Sequence, residues 1–123
     1  MNEVKTMTTL ERELKRGTLE MMLLHILDND PTYGYELLSR LSLRSGGRFH
    51  IKEGTLYPVL YRLEDAGLIV PEWDQPARGV PRKVYQLTET GKERLVEMAE
   101  AWLSFAAAIE AVLTDALPKE EKI

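Results

Sequence analysis

The side chains with the clearest capacity for chemistry fall in two short stretches. Thr55, Tyr57, Tyr61 and Arg62, with Pro58 beside them, form one; Arg78, Arg82 and Lys83, with no acid between them, form the other. Hydroxyls and a guanidinium hydrogen-bond to base edges or to phosphate oxygens, and a local run of cations attracts a polyanion. Neither stretch sets a nucleophile beside a base, and no glycine-rich phosphate loop or nucleophile elbow occurs. The absence of cysteine excludes a disulfide framework, a thiolate metal site and a cysteine nucleophile. His25 and His50 lie in different elements without an acidic partner at ligand spacing, so no metal and no cofactor are expected. His25 reads as a partly buried packing residue, and His50 as a loop residue that either touches phosphate or has no role. Glu93, Glu97, Glu100 and Glu110 read as the solvated side of a helix rather than a catalytic pair, and the chain is not expected to be an enzyme.

The formal net charge of −4 argues at first against a nucleic-acid partner. Its distribution reverses the argument. Between Arg40 and Lys92 there are nine Lys or Arg against six Asp or Glu, whereas both flanks are acidic. Chance would also produce such a fluctuation, so the pattern gains weight only from the elements that carry it. At 123 residues the chain suits one domain with an appended element. No apolar run reaches the roughly 20 residues that span a bilayer, so no membrane partner is expected and the cytoplasm is the default location.

Positioning the two stretches requires a succession of helices and a hairpin. Apolar residues at mostly helical spacing predict helix one over Leu10–Leu27, and helix two is predicted from about Tyr33 to Leu43, capped by Thr32, with Leu37, Leu38 and Leu41 inward. The flexible basic Arg44–Arg48 link leads to helix three, which begins near Glu53, buries Leu56, Leu60 and Leu63, and is closed by Gly67. Leu68–Trp73 and Lys83–Leu87 are β-favouring, and the Asp74–Arg82 segment between them holds Pro76, Gly79 and Pro81, which predicts a hairpin with a long tip. Thr88 caps the last helix, on which Leu95, Met98, Trp102, Phe105, Ile109 and Val112 repeat at alternating spacings of three and four. A stripe that regular calls for a partner helix.

The fold class that follows is mainly α with a small β-hairpin: a winged helix-turn-helix domain plus a long C-terminal dimerisation helix. Residues 1–9 are expected to form a flexible arm, 10–87 the winged helix-turn-helix domain, 88–117 the dimerisation helix and 118–123 a charged tail.

Glu53-Gly54-Thr55-Leu56-Tyr57-Pro58-Val59-Leu60-Tyr61-Arg62-Leu63-Glu64, followed by Gly67-Leu68-Ile69, closely resembles the recognition helix of the PadR family of transcriptional regulators. Thr32-Tyr33-Gly34-Tyr35-Glu36-Leu37, Arg82-Lys83-Val84-Tyr85 and Leu87-Thr88-Glu89-Thr90-Gly91 resemble further segments of its pattern, in the right order. The resemblance spans roughly Leu14 to Leu113, and the length is similar to that of the short, second subfamily. It implies a repressor that binds a palindromic operator in double-stranded DNA as a homodimer and is released by a small molecule. Carried over by position, Gly54, Thr55, Tyr57 and Pro58 lie at or near DNA, as do Arg82 and Lys83 of the wing, followed by Tyr61 and Arg62. In a multidrug-binding member of that family a tryptophan matching Trp102 sandwiches flat aromatic ligands at the dimer centre. The resemblance therefore implies an aromatic effector site at Trp102, with Met98 and Phe105, and with Met21 or Met22 from helix one. Ordinary interface packing is the competing reading of the same stripe, and structural punctuation that of Pro58. Two other functions remain compatible with the residues: a winged-helix protein-interaction module, and a constitutive DNA binder without effector.

Overall fold

The computed structural model describes residues 18–74, 78–116 and 118. The expected start of helix one at Leu10, the 1–9 arm, the middle of the hairpin tip and the tail beyond Pro118 lie outside the described residues. Within them the order is α1 (Leu19–Asn29), β1 (Thr32–Tyr33), α2 (Gly34–Arg44), α3 (Glu53–Asp65), β2 (Ile69–Asp74), β3 (Arg82–Leu87) and α4 (Glu89–Leu113).

The core is aliphatic and forms where α1, α2 and α3 meet the sheet. Leu23, Leu24 and Leu27 of α1, Leu37 and Leu41 of α2, and Leu56, Leu60 and Leu63 of α3 close over Ile69 and Tyr85. Each such side chain contributes about 1.5–3 kcal/mol of transfer free energy, so the helical spacing of the leucines is what brings three short helices together. Val59 completes the buried side of α3.

Helix α3 ends in a Schellman arrangement. The Leu68 N–H donates to Leu63 O and the Gly67 N–H to Glu64 O, both at 3.0 Å, and Gly67 takes φ 76°. That left-handed turn strains a residue with a Cβ, which explains the glycine. The chain then enters β2, and β2 pairs with β3 antiparallel from Ile69↔Leu87 to Asp74↔Arg82.

A third strand was not expected. Thr32 and Tyr33 pair with Tyr85 and Val84, giving the order β1-β3-β2. The expected cap at Thr32 is therefore corrected: Thr32 is buried in β1, its hydroxyl donates to Asp30 O at 2.8 Å and accepts from Arg40 Nη1 at 3.2 Å, and Tyr33 occupies the N-cap of α2 without a side-chain cap. The ladder hydrogen bonds outcompete the cap because the β3 edge lies within reach.

The cap expected at Thr88 is present, its Oγ1 accepting from the Gly91 N–H at 2.9 Å. The same hydroxyl lies 2.7 Å from Gly67 O and 3.1 Å from Leu68 O, and the Thr88 N–H donates to Leu68 O. A Cβ at Gly91 would overlap the Leu68 carbonyl oxygen. Thr88 and Gly91 thus form the joint that fixes the departure of α4 from the end of α3.

Beyond that joint α4 changes character. Gly91 and Leu95 are buried and Met98 packs against the core, but Phe105 is 66% exposed and Val112 82% exposed. Among the described residues no helix is long and apolar enough to cross a membrane.

Candidate nucleic-acid interface

The site is assembled from α3, the β2–β3 wing and the start of α2. On α3, Gly54, Thr55, Pro58, Tyr61 and Arg62 are exposed, because the buried positions Leu56, Val59, Leu60 and Leu63 use the opposite face. Pro58 is the sixth residue of the helix, past the first-turn N–H groups that lack intrahelical partners. Its ring therefore removes a bond that the carbonyl of Gly54 would otherwise receive. Among the described residues Gly54 has neither a positive φ nor a neighbour within 4 Å of where a Cβ would stand, so nothing in them requires glycine there.

Tyr57 does not share the open face. It is half-buried, its ring centroid is 6.2 Å from that of Tyr61, and a Cβ on Gly34 would come within 2.7 Å of its hydroxyl. Gly34 is thus the space into which Tyr57 folds. Burial raises the Tyr57 phenol above its usual pKa, with the Glu53 carboxylate adding to the effect, so the hydroxyl stays protonated and able to donate at neutral pH.

The wing cations are held by aromatic rings. The Arg82 guanidinium carbon stacks 4.1 Å from the Tyr33 ring centroid, while the Tyr33 hydroxyl donates to Asp74 Oδ2 at 2.5 Å. That bond, more than burial, raises the Tyr33 pKa. Lys83 Nζ lies 5.7 Å from the Tyr61 ring, 5.4 Å from the Tyr85 ring and 3.9 Å from Glu64 Oε1. Such contacts immobilise two long side chains beside α3.

The structure brings Tyr57, Arg82 and Lys83 into one small cleft with Tyr33, Gly34, Tyr35 and Tyr85. It leaves Thr55, Pro58 and Tyr61 on the neighbouring surface. Arg62 is exposed but ion-paired with Glu20 of α1 at 3.0 Å. Arg78 is exposed. The sequence shows Tyr33, Gly34 and Tyr35 as part of a motif but gives them no place at the site. Only the β1 pairing carries them to the wing.

A second recess lies on the far side. Helices α1 and α4, with the end of α2, border a groove of about 1690 Å³ lined by Met21, Met22, Phe49, Leu95, Trp102, Phe105 and Ile109, among others. Met98 and Val112 are not part of its lining. His25 is exposed on the wall of this groove with Nε2 3.4 Å from Arg44 Nη2, which corrects the expected packing role. Among the described residues no three His, Cys, Asp or Glu side chains gather as a metal site.

Residues 23–97 match the model of the transcriptional regulator PadR-like family. The chain is 37% identical over 86 residues to the transcriptional regulator Rv3488 of Mycobacterium tuberculosis, covering 70% of this chain and 77% of that protein. Among solved structures, a PadR family transcriptional regulator from Eggerthella lenta superposes with a TM-score of 0.76 at 36% identity, covering 87% of this chain and 91% of the other. A PadR-like transcriptional regulator from Bacillus cereus gives 0.72 at 32% identity, covering 82% and 96%. With the winged-helix body, the tyrosine-flanked cations and the long apolar helix in one chain, this protein belongs to the PadR-like family of transcriptional regulators.

Proposed function

We propose that the protein acts as a homodimer on a palindromic DNA operator, with α3 in the major groove and the wing on the adjacent backbone, and that it is a repressor released by a small aromatic effector. The observation that carries the DNA reading is the position of Lys83 and Arg82 alongside the exposed face of α3, with Lys83 Nζ 5.7 Å from the Tyr61 ring. Cations there neutralise phosphates while Thr55 and Tyr61 face the bases, and Arg62 joins them only by giving up its ion pair with Glu20. Gly54 supports the same reading. It is exposed near the start of α3, and among the described residues neither a positive φ nor crowding calls for glycine, so the missing side chain leaves room for the wall of a groove to approach.

The effector part rests on the groove. Trp102, 44% exposed, borders it together with Phe105 and the adaptable Met21 and Met22. A flat apolar molecule fills such a space with stacking contacts. Leu95, Met98, Trp102, Phe105, Ile109 and Val112 are the residues assigned to the interface between copies, with Trp102 and Phe105 shared with the effector site, whereas Met98 packs against the core and does not line the groove.

Selection of bound duplexes from a randomised pool at near-physiological salt tests the DNA reading. Enrichment of an inverted repeat with half-sites about 10 base pairs apart is the expected result. Absence of any enrichment counts against sequence-specific recognition and favours a protein partner. For the effector, planar aromatic compounds are expected to quench tryptophan fluorescence in the wild type and not in Trp102→Phe, which retains Trp73. Equal quenching in both sinks the Trp102 site.

A further inference from the structure

The cleft beside α3 measures about 190 Å³ and is walled by Tyr33, Tyr35, Tyr57 and Tyr85 with Arg82 and Lys83. Reading bases from α3 does not require it. Among the described residues no carboxylate lines it; of the acids around it, Asp74 is engaged by the Tyr33 hydroxyl and Glu64 by Lys83, while Glu36 and Glu53 act on Tyr33 and Tyr57 from outside the lining. What remains is a set of donors and positive charge. The major-groove edge of a base pair offers a donor as well as acceptors and no formal charge, whereas a phosphodiester offers only acceptors and a negative charge.

The groups are also prearranged. Stacking on Tyr33 uses the flat face of the Arg82 guanidinium and leaves its N–H edge for hydrogen bonds. Absence of a side chain at Gly34 admits the Tyr57 hydroxyl against the start of α2. Tyr35 borders the cleft yet is 68% exposed, and the core makes no use of its ring.

We propose that this cleft seats one phosphodiester of the DNA backbone, with the Tyr35 and Tyr57 hydroxyls and the Arg82 guanidinium donating to its oxygens and Lys83 supplying charge. The seat rests on the DNA reading above and adds to it a fixed point outside α3. A phosphate held between α2, α3 and the wing sets the register of α3 in the groove without reading sequence.

The test uses the full chain, the enriched duplex, a scrambled duplex of equal length, and duplexes carrying a single neutral methylphosphonate at successive positions. Tyr35→Phe and Tyr57→Phe each lower affinity roughly tenfold, by the same factor on both sequences, since each removes one hydrogen bond to a charged group. At one methylphosphonate position the wild type loses affinity and Tyr35→Phe loses no more, because the two changes remove the same contact. Arg82→Gln also lowers the salt slope by about 0.9, while the Phe variants leave it unchanged. Unchanged affinity in both Phe variants, or full additivity with every methylphosphonate, overturns the seat while leaving DNA binding intact. Failure of the wild type to bind either duplex overturns the DNA reading and the seat with it.

Discussion

The two recesses of this chain differ in how complete they are. The cleft beside α3 takes its walls from β1, α2, α3 and β3, and its side chains hold one another through the Tyr33 to Asp74 bond, the Arg82 stack and the Lys83 contacts. The groove between α1 and α4 has one firm wall and one overhanging helix. Leu95 is buried there, whereas Ile109, at an equivalent point of the same stripe, is 42% exposed. A preformed cleft suits a ligand that arrives as a rigid polymer. An unfinished apolar groove suits a surface that is completed by association, since apolar area left in water forgoes about 25 cal/mol per Å².

The largest effect is expected from breaking the unfinished side. Phe105→Glu with Ile109→Glu removes two apolar contacts per copy, four across a two-fold interface, at a cost above about 6 kcal/mol, and so weakens dimerisation by roughly ten-thousandfold or more. Sedimentation at micromolar concentration should show a dimer for the wild type and a folded monomer for the variant. A monomeric wild type would remove the contrast between a finished and an unfinished recess.

A smaller effect concerns the joint that holds the two sides in relation. Gly91→Ala forces a Cβ into the Leu68 carbonyl, where backbone has to move, and should cost about 3 kcal/mol or lower the melting temperature by more than about 10 °C. Thr88→Ala, which loses the cap to the Gly91 N–H, should cost about 1 kcal/mol. If Gly91→Ala melts like the wild type, α4 is not pinned at this point.

The smallest effect sharpens the description of the cleft. Burial raises the pKa of Tyr85, with Lys83 opposing it, so the folded state holds the phenolic proton more tightly than the unfolded chain does. Stability from this group is fully present below the unfolded value of about 10 and is lost as pH rises from there through the raised folded value. Thermal melts from neutral pH to about pH 11 should fall less steeply at the alkaline end for Tyr85→Phe than for the wild type. Parallel curves would mean that Tyr85 is not the group whose ionisation the core resists.

The major elements were legible because their signals are local. Leucines at helical spacing set α1, α2 and α3, Gly67 and Thr88 marked the ends where backbone geometry demands them, and the β-favouring runs foretold the wing within a residue at each end. The strand β1 was not legible. Two residues carry no periodicity, and Thr32 reads equally as a cap, so only the proximity of β3 decided between them. From the sequence Tyr57 stands with Thr55, Tyr61 and Arg62 as one set, yet it alone of the four is half-buried. Its fate depended on Gly34, 23 positions earlier, whose missing side chain gives the ring somewhere to go.

The sequence by itself determined the helices, the wing and the apolar stripe of α4, because periodicity and turn chemistry act over a few residues. Only the tertiary structure decided that the Tyr33-Gly34-Tyr35 segment joins Arg82 and Lys83 in one cleft, that Arg62 pairs with Glu20, and that the stripe is packed at Leu95 and Met98 but exposed, among the described residues, from Trp102 onward. Those outcomes depend on which surfaces meet when helices and sheet close on a shared core, and no local pattern encodes that meeting.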